Sequence, residues 1–286
     1  MLRIAYVNGR YVPHDAAAVH IEDRGYQFAD SVYEVCEVAR GNIVDMTRHL
    51  NRLDRSLSEL EIAWPMHRSS FQVVIREVVS RNRVRNGLVY LQVSRGVAPR
   101  DFPFPAGVRS SLVVTSKSLD ASVLEARATK GIAVLTTPET RWERVDIKST
   151  GLLPNVLAKQ KARRAGAFEA WFVDRDGMVK EGSSSNAWIV TQDGVLVTRQ
   201  ANHGILRGVT RTTLIQLAEE LGLKFEERYF TVEEAQQARE AFITSATTIV
   251  LPVVEIDGKP VANGHPGSMA ALLRSKFFDI AEKTPS

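Results

Sequence analysis

Four segments of the chain place polar residues where a strand-rich core would favour apolar ones. In one of them Lys148 lies between Ile147 and the apolar run LLPNVL, so its surroundings are those of a buried group rather than a surface charge. Burial favours the neutral amine, which acts as a base or a nucleophile. The segments are GYQFADSVYE (25–34), DIKSTGLLPNVLAKQ (146–160), EGSSSNAW (181–188) and ILRGVTR (205–211).

A second candidate for chemistry is Glu181. It follows a predicted turn at Asp176 and Gly177 and is separated by Gly182 alone from the run Ser-Ser-Ser-Asn. A lone glutamate beside a glycine is usually a turn residue. The polar run behind this one favours a functional carboxylate, so the fold must position Lys148 and Glu181.

Several common mechanisms have no signature in the sequence. It contains no Walker loop, dinucleotide-binding GxGxxG, HExxH helix or GxSxG elbow. The six histidines are scattered without ligand spacing, and Cys36 is the single cysteine, which excludes an intrachain disulfide and a cysteine zinc site. We predict no metal site and expect Cys36 to be a small buried apolar residue.

The charge balance argues against nucleic acid as a partner. The 37 Lys and Arg residues are interspersed with 33 Asp and Glu, which leaves a net charge of +4 without a long basic run. Such a surface favours small anionic metabolites. No stretch approaches the roughly 20 apolar residues of a membrane span. The first residues also lack the apolar run of a secretory signal, so we expect a cytoplasmic protein without membrane contact.

In the first half of the chain, short strands alternate with two helices. Apolar residues at helical spacing predict one helix from Leu50 to Leu60 and another from Phe71 to Val79, with Ser69 as a candidate cap together with Ser70. Strands are predicted at 5–7, 31–38, 88–94 and 112–115. These elements form a small α+β unit.

The second half also mixes many strands with a few helices. Pro154 predicts the start of a helix that runs to Arg164, and another helix is predicted from Thr210 to Leu221. Thr231 has capping-box spacing to Glu234. Asp257 with Gly258 marks a last hairpin. Strands are predicted at 132–135, 170–173, 187–190 and 195–198.

The pattern loosens into small and charged residues near residue 118, which indicates a domain boundary. We predict a small α+β domain at 1–118, an interdomain linker at 119–130 and a large domain at 131–286. Many strands with few packed helices favour the α+β class over a doubly wound sheet.

Taken together and in this order, the four polar segments resemble the fold type IV pyridoxal-phosphate enzymes, and above all the D-amino-acid transaminases. The resemblance runs from about Tyr6 to Gly258, and the pair DIKS…LLPNVLAKQ and EGSSSN makes it specific. It implies a two-domain α+β fold of that type, with pyridoxal phosphate bound by the large domain, and a homodimer. The implied reaction is transamination between D-amino acids and a 2-oxo acid such as α-ketoglutarate.

The resemblance also assigns residues to the cofactor. Lys148 is similar to the family's Schiff-base lysine, which then shuttles the substrate α proton, and Glu181 to the carboxylate partner of the pyridine nitrogen. Arg52 is similar to a phosphate ligand, and Leu206 to the residue that packs on the ring face. Further phosphate-binding positions implied are the turn Gly208, Val209 and Thr210, and Thr247.

Substrate recognition is where the sequence departs from these relatives. In D-amino-acid transaminases a tyrosine, an arginine and a histidine two residues after it bind the substrate α-carboxylate. Tyr33 and Arg100 match, but Phe102 stands at the third position, so one donor is missing. Arg100 can still bind a carboxylate with two hydrogen bonds, which keeps D-amino acids as the first expectation. The less polar site also suggests that apolar or aromatic amines are accepted as substrates, as in the related (R)-amine transaminases.

Three alternatives remain open, two enzyme activities and one binding role without catalysis. Branched-chain amino-acid transaminases and aminodeoxychorismate lyases share the fold type. The EGSSSN segment favours the D-amino-acid group, because the branched-chain enzymes usually carry EGTGxN there. A protein that binds pyridoxal phosphate without catalysis is an alternative of another class, and the intact lysine, glutamate and tyrosine argue against it.

Overall fold

A computed structural model of the chain describes residues 3–286 and divides into two compact units. The first unit holds the chain as far as Ala121, together with Ile147–Gly151 and Glu282–Ser286. The second consists of Ser122–Asp146 and Leu152–Ala281. The first unit is thus assembled from stretches that lie far apart in the sequence.

The helices and strands follow one another without long gaps. Those of the N-terminal stretch are β1 (Ile4–Val7), β2 (Arg10–Pro13), a 3-10 turn (His14–Ala16), α1 (Arg24–Phe28), β3 (Ser31–Ala39), β4 (Asn42–Val44), α2 (Met46–Glu59), α3 (Arg68–Arg81), β5 (Gly87–Ser94) and β6 (Ser111–Ser118). The rest are α4 (Ala121–Lys130), β7 (Ile132–Pro138), α5 (Leu153–Arg164), β8 (Glu169–Val173), β9 (Val179–Gly182), β10 (Asn186–Val190), β11 (Leu196–Thr198), α6 (Val209–Glu220), β12 (Phe225–Glu227), α7 (Val232–Gln237), β13 (Glu240–Ser245), β14 (Ile249–Ile256), β15 (Lys259–Pro260), α8 (Ser268–Ile280) and β16 (Lys283–Pro285).

The first unit is an antiparallel sheet of seven strands, in the order β16-β4-β3-β5-β6-β1-β2. Helices α2 and α3 pack against it, and their predicted apolar faces are confirmed as core: Leu50, Leu53, Phe71 and Ile75 are fully buried. Each such side chain contributes roughly 1.5–3 kcal/mol of hydrophobic stabilisation. Cys36 belongs to the same core, as predicted.

The second unit is a mixed sheet of nine strands, in the order β12-β11-β10-β13-β14-β7-β8-β9, with β15 paired to β14. Its core includes Trp171, Ile189 and Phe230. Because parallel pairs in this sheet stand beside antiparallel hairpins, the fold is α+β, as predicted. The hairpin at Asp257 and Gly258 is also confirmed, and both residues have the positive φ that a tight hairpin needs.

Two predictions of local structure need comment. The cap of α3 is His67, whose Nδ1 accepts a hydrogen bond from the Ser69 N–H at 3.3 Å; Ser69 and Ser70 already lie inside the helix, so their prediction as caps was wrong. The segment 119–130, predicted as a linker, contains α4, because its Leu, Glu, Ala and Arg residues are good helix formers. The domain limits themselves stay a prediction.

The start of α2 is held by residues from the far end of the chain. Asp45 precedes the helix in a left-handed conformation and does not cap it. Instead the Glu282 carboxylate accepts hydrogen bonds from the Thr47 N–H at 3.0 Å and the Thr47 hydroxyl at 2.8 Å. The Glu282 N–H in turn donates to Asp45 Oδ1 at 3.1 Å. An N-terminal cap that a helix normally obtains locally thus comes from the strand β16 region.

Candidate active site

Lys148 lies in the short stretch Ile147–Gly151, which runs antiparallel alongside β3. The Tyr33 N–H donates a hydrogen bond to the Lys148 carbonyl at 3.0 Å, and Val32 forms a bridge with Ser149. These sheet-type bonds fix the backbone at the lysine. Its Nζ lies 4.2 Å from the centre of the Tyr33 ring, a cation–π distance. The structure therefore brings together Lys148 and Tyr33, two of the residues that the sequence singled out.

Tyr33 is itself supported by its neighbour across the sheet. The ring of Tyr90 on β5 stacks on that of Tyr33, with centres 5.7 Å apart. Burial, and to a lesser extent Tyr33, raises the pKa of Tyr90 to about 12. Its hydroxyl donates to Gln92 Oε1 at 2.7 Å. Tyr33 is thus held between a neutral aromatic partner and the lysine amine.

Arg52 is bound by the buried carboxylate of Glu34, the residue that follows Tyr33 in the sequence. Its Nε and Nη2 each donate to Glu34, at 2.7 Å, and His49 Nδ1 lies 2.6 Å from the same carboxylate. Glu34 is on β3, while His49 and Arg52 are one turn apart on α2. A two-point pair of this kind fixes the plane of the guanidinium.

The charges of this cluster stabilise one another. Burial favours the neutral form of Glu34, but Arg52 and His49 outweigh it and lower the pKa of the carboxyl to about 2. Burial likewise works against the Arg52 charge, yet Glu34 raises the pKa of Arg52 overall. At neutral pH the cluster therefore presents a fixed arginine whose orientation depends on Glu34.

Arg100 and Phe102 lie on the loop between β5 and β6. Both are exposed, Phe102 to 77%. The Arg100 guanidinium carbon lies 4.8 Å from the centre of the Phe28 ring and 5.9 Å from that of Phe102. Arg100 thus stacks on these phenylalanines rather than on Tyr33. The structure therefore does not bring Arg100 or Phe102, the other two residues predicted to recognise the substrate, into ring contact with Tyr33.

Glu181 is a buried carboxylate of the second unit, at the end of β9. It accepts hydrogen bonds from Arg141 Nη1 at 2.6 Å, from the Leu206 N–H at 3.0 Å and from Asn186 Nδ2 at 3.1 Å. Burial raises the pKa of Glu181 above its ordinary value, and Arg141 with the Leu206 amide opposes burial only in part. A further proton donor beside this carboxylate would therefore favour its charged form.

Arg141 is the functional residue that the sequence analysis missed. It lies between the carboxylates of Glu139 and Glu181, each 2.6 Å from one of its terminal nitrogens, and it stacks on Phe172 at 4.2 Å. Its side chain is almost fully buried. The only sequence signal was its position two residues after Glu139, just past β7, which gives no hint of a partner as distant as Glu181.

The turn that ends in α6 is tied to the same carboxylate. Asn186 Nδ2 donates to the Leu206 carbonyl at 2.9 Å, while the Leu206 N–H binds Glu181. A Cβ at position 208 would lie 2.0 Å from Asn186 Oδ1, so any larger residue than Gly208 would displace the Asn186 side chain from its present position. Leu206, Gly208 and Glu181 are thus brought together through Asn186.

The N-terminus of α6 carries no side-chain cap. The helix begins at Val209 with Gly208 as its cap residue, so Thr210, the predicted start of the helix, lies inside the first turn. The first amides of a helix have no partner within it, and they bind anions. The predicted phosphate-binding turn therefore has the backbone arrangement that an anion requires.

Thr247 lies in the turn between β13 and β14. The Ser245 hydroxyl lies 3.4 Å from Thr247 Oγ1 and 2.8 Å from Thr248 Oγ1, so the turn presents a row of hydroxyls. Strand β13 pairs with β10 so that Thr244 stands opposite Asn186. Thr247 thus follows the strand end that lies beside the Asn186 cluster.

The serine run after Glu181 is organised by a second buried carboxylate, Glu169. Its oxygens accept hydrogen bonds from the hydroxyls of Ser183, Ser184 and Ser185 at 2.5 to 3.0 Å. Lys159 on α5 forms an ion pair with the same carboxylate, with its Nζ 3.0 Å from Glu169 Oε1. The unusual polar run is therefore a folded turn around Glu169, which explains why serines stand where the sheet would favour apolar residues.

The donor set of each unit fits the cofactor that the resemblance implies. An aldehyde requires an amine, which Lys148 offers; a protonated pyridine nitrogen requires a buried carboxylate as its partner, which Glu181 offers, and a positive charge beside Glu181 would oppose the effect of burial on its pKa. A phosphate requires amides and cations, which the uncapped start of α6 and Arg52 supply. Among residues 3–286 no group of three or more His, Cys, Asp or Glu could hold a metal ion.

Comparisons with known proteins identify the family of the chain and its fold. Residues 31–256 match the model of the amino-transferase class IV family. The chain is 42% identical over 262 residues to D-alanine aminotransferase of Bacillus licheniformis, over 92% of this chain and 91% of that one. For D-alanine aminotransferase of Staphylococcus haemolyticus the identity is 36%, over 98% and 99% of the two chains. A solved branched-chain amino acid aminotransferase of T.th. with pyridoxamine 5'-phosphate superposes with a TM-score of 0.89, at 27% identity, over 98% and 94%.

Proposed function

The chain belongs to the amino-transferase class IV family, and from this premise we propose that it transfers the amino group of D-amino acids to a 2-oxo acid such as α-ketoglutarate. It is a pyridoxal-phosphate-dependent transaminase of fold type IV. The observation that carries the site assignment is the position of Lys148, whose backbone is bonded to β3 and whose amine lies over the Tyr33 ring. D-Alanine aminotransferases at 36–42% identity over nearly the whole chain support the choice of D-amino acids.

The residues divide the work of the reaction between them. When bound, pyridoxal phosphate supplies an electron sink for the charge that develops at the substrate α carbon. Lys148 binds the cofactor and moves the α proton as a base and then an acid. Glu181 holds the proton at the pyridine nitrogen, and Arg141, Asn186 and the Leu206 amide orient its carboxylate.

The remaining residues bind and orient. Arg52 and the amides of Val209 and Thr210 bind the phosphate with Thr247, and Leu206 packs on the ring. Tyr33 and Arg100 bind the substrate carboxylate, with Phe102 as their apolar neighbour. The substrate carboxylate is bound in the ground state as well as in the transition state, so loss of Tyr33 or Arg100 should raise KM for the amino acid more than it lowers kcat. Loss of a phosphate-binding group should instead weaken retention of the cofactor.

The protein acts as a homodimer in the cytoplasm. Support for the dimer comes from α5, where Leu153, Val156 and Leu157 recur at helical spacing and are exposed to 68, 59 and 63%. A contiguous apolar stripe of this kind on a globular protein is typical of an interface. No helix within residues 3–286 combines the length and the apolar character that crossing a membrane requires.

Phe102 also supports a second substrate class, the apolar (R)-amines. Its exposed ring lies 5.6 Å from that of Phe28, so the loop presents apolar surface where the related enzymes place a histidine. Activity with (R)-phenylethylamine tests this extension. Phe102→His should lower KM for D-alanine and reduce turnover of the amine; undetectable turnover of the amine by the unaltered protein contradicts the extension.

The proposed reaction is tested by absorbance of the purified protein loaded with pyridoxal phosphate. D-Alanine should replace the visible band of the lysine-bound cofactor with a near-ultraviolet band, and α-ketoglutarate should restore it. L-Leucine, added separately, should leave the spectrum unchanged. A response to L-leucine alone would place the protein with the branched-chain enzymes, and repeated turnover of aminodeoxychorismate to pyruvate without an acceptor would indicate a lyase.

Variants separate catalysis from cofactor binding. Lys148→Ala should lose essentially all turnover and the visible band, whereas Lys161→Ala, an exposed lysine on α5, should retain both. A Lys148→Ala protein with unchanged turnover would contradict the role of this residue.

A further inference from the structure

Asp30 lies at the centre of a buried charge cluster directly before β3. Arg24 Nε donates to its Oδ2 at 2.8 Å, and Arg95 donates to the same carboxylate through Nε at 2.7 Å and Nη2 at 3.0 Å. Arg24 is 4% exposed and Arg95 7%. A carboxylate shared by two arginines at these distances forms strong, directional bonds that fix all three side chains.

The remaining nitrogens of Arg24 bind residues 99–104 of the loop between β5 and β6, the substrate loop, which carries Arg100 and Phe102. Its Nη1 donates to the Asp101 carbonyl at 2.6 Å and its Nη2 to the Phe102 carbonyl at 3.2 Å. Every nitrogen of this one guanidinium is therefore used, one on Asp30 and two on the backbone next to Arg100. A lysine, with a single nitrogen, cannot reproduce such a fork.

Ring contacts hold the same loop from both sides. Phe28 carries Arg24 on its ring at 4.8 Å and Arg100 also at 4.8 Å. Arg95 lies 3.5 Å above the centre of the Phe104 ring. The start of the loop is fixed by a backbone bridge between Val97 and Asp23. Residues 99–104 are exposed and lie outside any helix or strand, so the contacts above and the prolines restrict the conformation of this part.

We propose that Arg24 and Asp30 are positioning residues for substrate recognition: they hold the backbone at 101–102 so that Arg100 and Phe102 are presented in one arrangement. This rests on the proposed function, in which these two side chains face the substrate carboxylate. A pre-ordered arginine binds a carboxylate without the cost of ordering the loop at each encounter. The cluster thereby acts on binding of the amino acid and not on the chemical step.

The test compares three variants as cofactor-loaded proteins. Arg24→Lys keeps the positive charge but loses the fork, and Asp30→Asn keeps the shape but loses the charge. Asn82→Ala is the control for lost stability. The Asn82 side chain forms hydrogen bonds to β1, α3 and β6, and these bonds do not involve the substrate loop. Each protein is assayed for KM and kcat with D-alanine, for its visible cofactor band and for hydrogen exchange at the amides of 100–104.

Arg24→Lys and Asp30→Asn should raise KM for D-alanine about tenfold, which corresponds to the loss of one charge-assisted hydrogen bond, with kcat changed less than threefold. The cofactor band should persist, and exchange at 100–104 should accelerate. Asn82→Ala should lower thermal stability without either change. Equal exchange at the loop in Arg24→Lys and the unaltered protein overturns the inference, as does an equal rise of KM in Asn82→Ala.

The exchange measurement keeps the two proposals apart. If the unaltered protein fails to respond to D-alanine, the proposed function fails, while the exchange data still report whether Arg24 orders the loop. If Asp30→Asn does not fold, Arg24→Lys alone decides the question, because it retains the pair with Asp30.

Discussion

At the scale of single residues, Glu181 is the group on which turnover should depend most directly. Its carboxylate is buried with a raised pKa, and the proton it would share with the pyridine nitrogen is the one that makes the ring an electron sink. Glu181→Gln should therefore lower kcat on the order of 10²–10³-fold. The cofactor should remain attached, since Lys148 is intact; the visible band and single-turnover rates with D-alanine measure this.

The control for that variant is Glu139→Gln, which removes the other carboxylate bound to Arg141. It should cost stability but lower kcat much less, because Glu139 has no proposed contact with the ring. Equal losses of kcat in the two variants would mean that Arg141, and not the carboxylate of Glu181, is the critical group.

Glu34 gives a prediction about stability and pH. Its pKa of about 2, against an ordinary value of 4.5, means that the charged carboxylate contributes about 3 kcal/mol to folding above pH 4.5. Because the folded pKa is the lower one, this contribution is lost as the pH falls from about 4.5 towards 2. Glu34→Gln should thus be less stable than the unaltered protein at pH 7, with a difference that shrinks below pH 4.5.

Denaturant titrations at several pH values measure that difference. The matched control is Glu59→Gln at the C-terminal end of α2, whose partly exposed pair with Arg55 should contribute roughly 0–1 kcal/mol. A Glu34→Gln protein that is as stable as Glu59→Gln at pH 7 would contradict the assignment. If Glu34→Gln also retains pyridoxal phosphate more weakly, the orientation of Arg52 towards the phosphate depends on its ion pair with Glu34.

At the scale of elements, the cap on α2 predicts that Glu282 stabilises a helix from more than two hundred residues away. Glu282→Ala removes the acceptor for the Thr47 N–H and hydroxyl, so it should cost about 1 kcal/mol of unfolding free energy. Lys283→Ala, its exposed neighbour, should cost little. Equal melting temperatures for the two variants would show that Thr47 finds another partner.

Elements with a local cause were predictable from the sequence. The helices at α2 and α3 follow from leucine and valine spacing, and the cap at Thr231 is confirmed, because its hydroxyl accepts from the Glu234 N–H at 3.0 Å. The hairpin at Asp257 and Gly258 follows from turn chemistry. What failed was the cap of α3, where His67 competes with serines that propensity alone favours.

Partnerships between distant residues were not predictable in this way. Arg141 binds Glu181 across 40 positions of sequence, and Arg24 binds the carbonyls of Asp101 and Phe102 across 77 and 78. No periodicity or short motif reports such pairs, since they depend on how strands are ordered in a sheet. The residues that the resemblance named for the site remain predictions, and their surroundings had to come from the structure.

At the scale of the whole molecule, the exposed stripe on α5 predicts that the proposed dimer can be weakened by a change in this one helix. Leu157→Asp places a charge in the stripe and should shift the protein towards monomers in sedimentation velocity at micromolar concentration. Val123→Asp, an exposed apolar residue on α4 and outside the stripe, is the matched control and should leave the sedimentation coefficient unchanged. A Leu157→Asp protein that sediments like the control would place the interface elsewhere.

The stretches that complete the first unit have a consequence for how the chain folds during synthesis. β16 is the edge strand of a sheet whose other strands end at Ser118, and Lys148 joins that sheet through Tyr33. When residue 121 leaves the ribosome, the nascent sheet still lacks an edge strand, the cap of α2 and the lysine segment. Its β4 edge stays unpaired until residues 282–286 emerge, so the sheet of this unit is completed only late in synthesis.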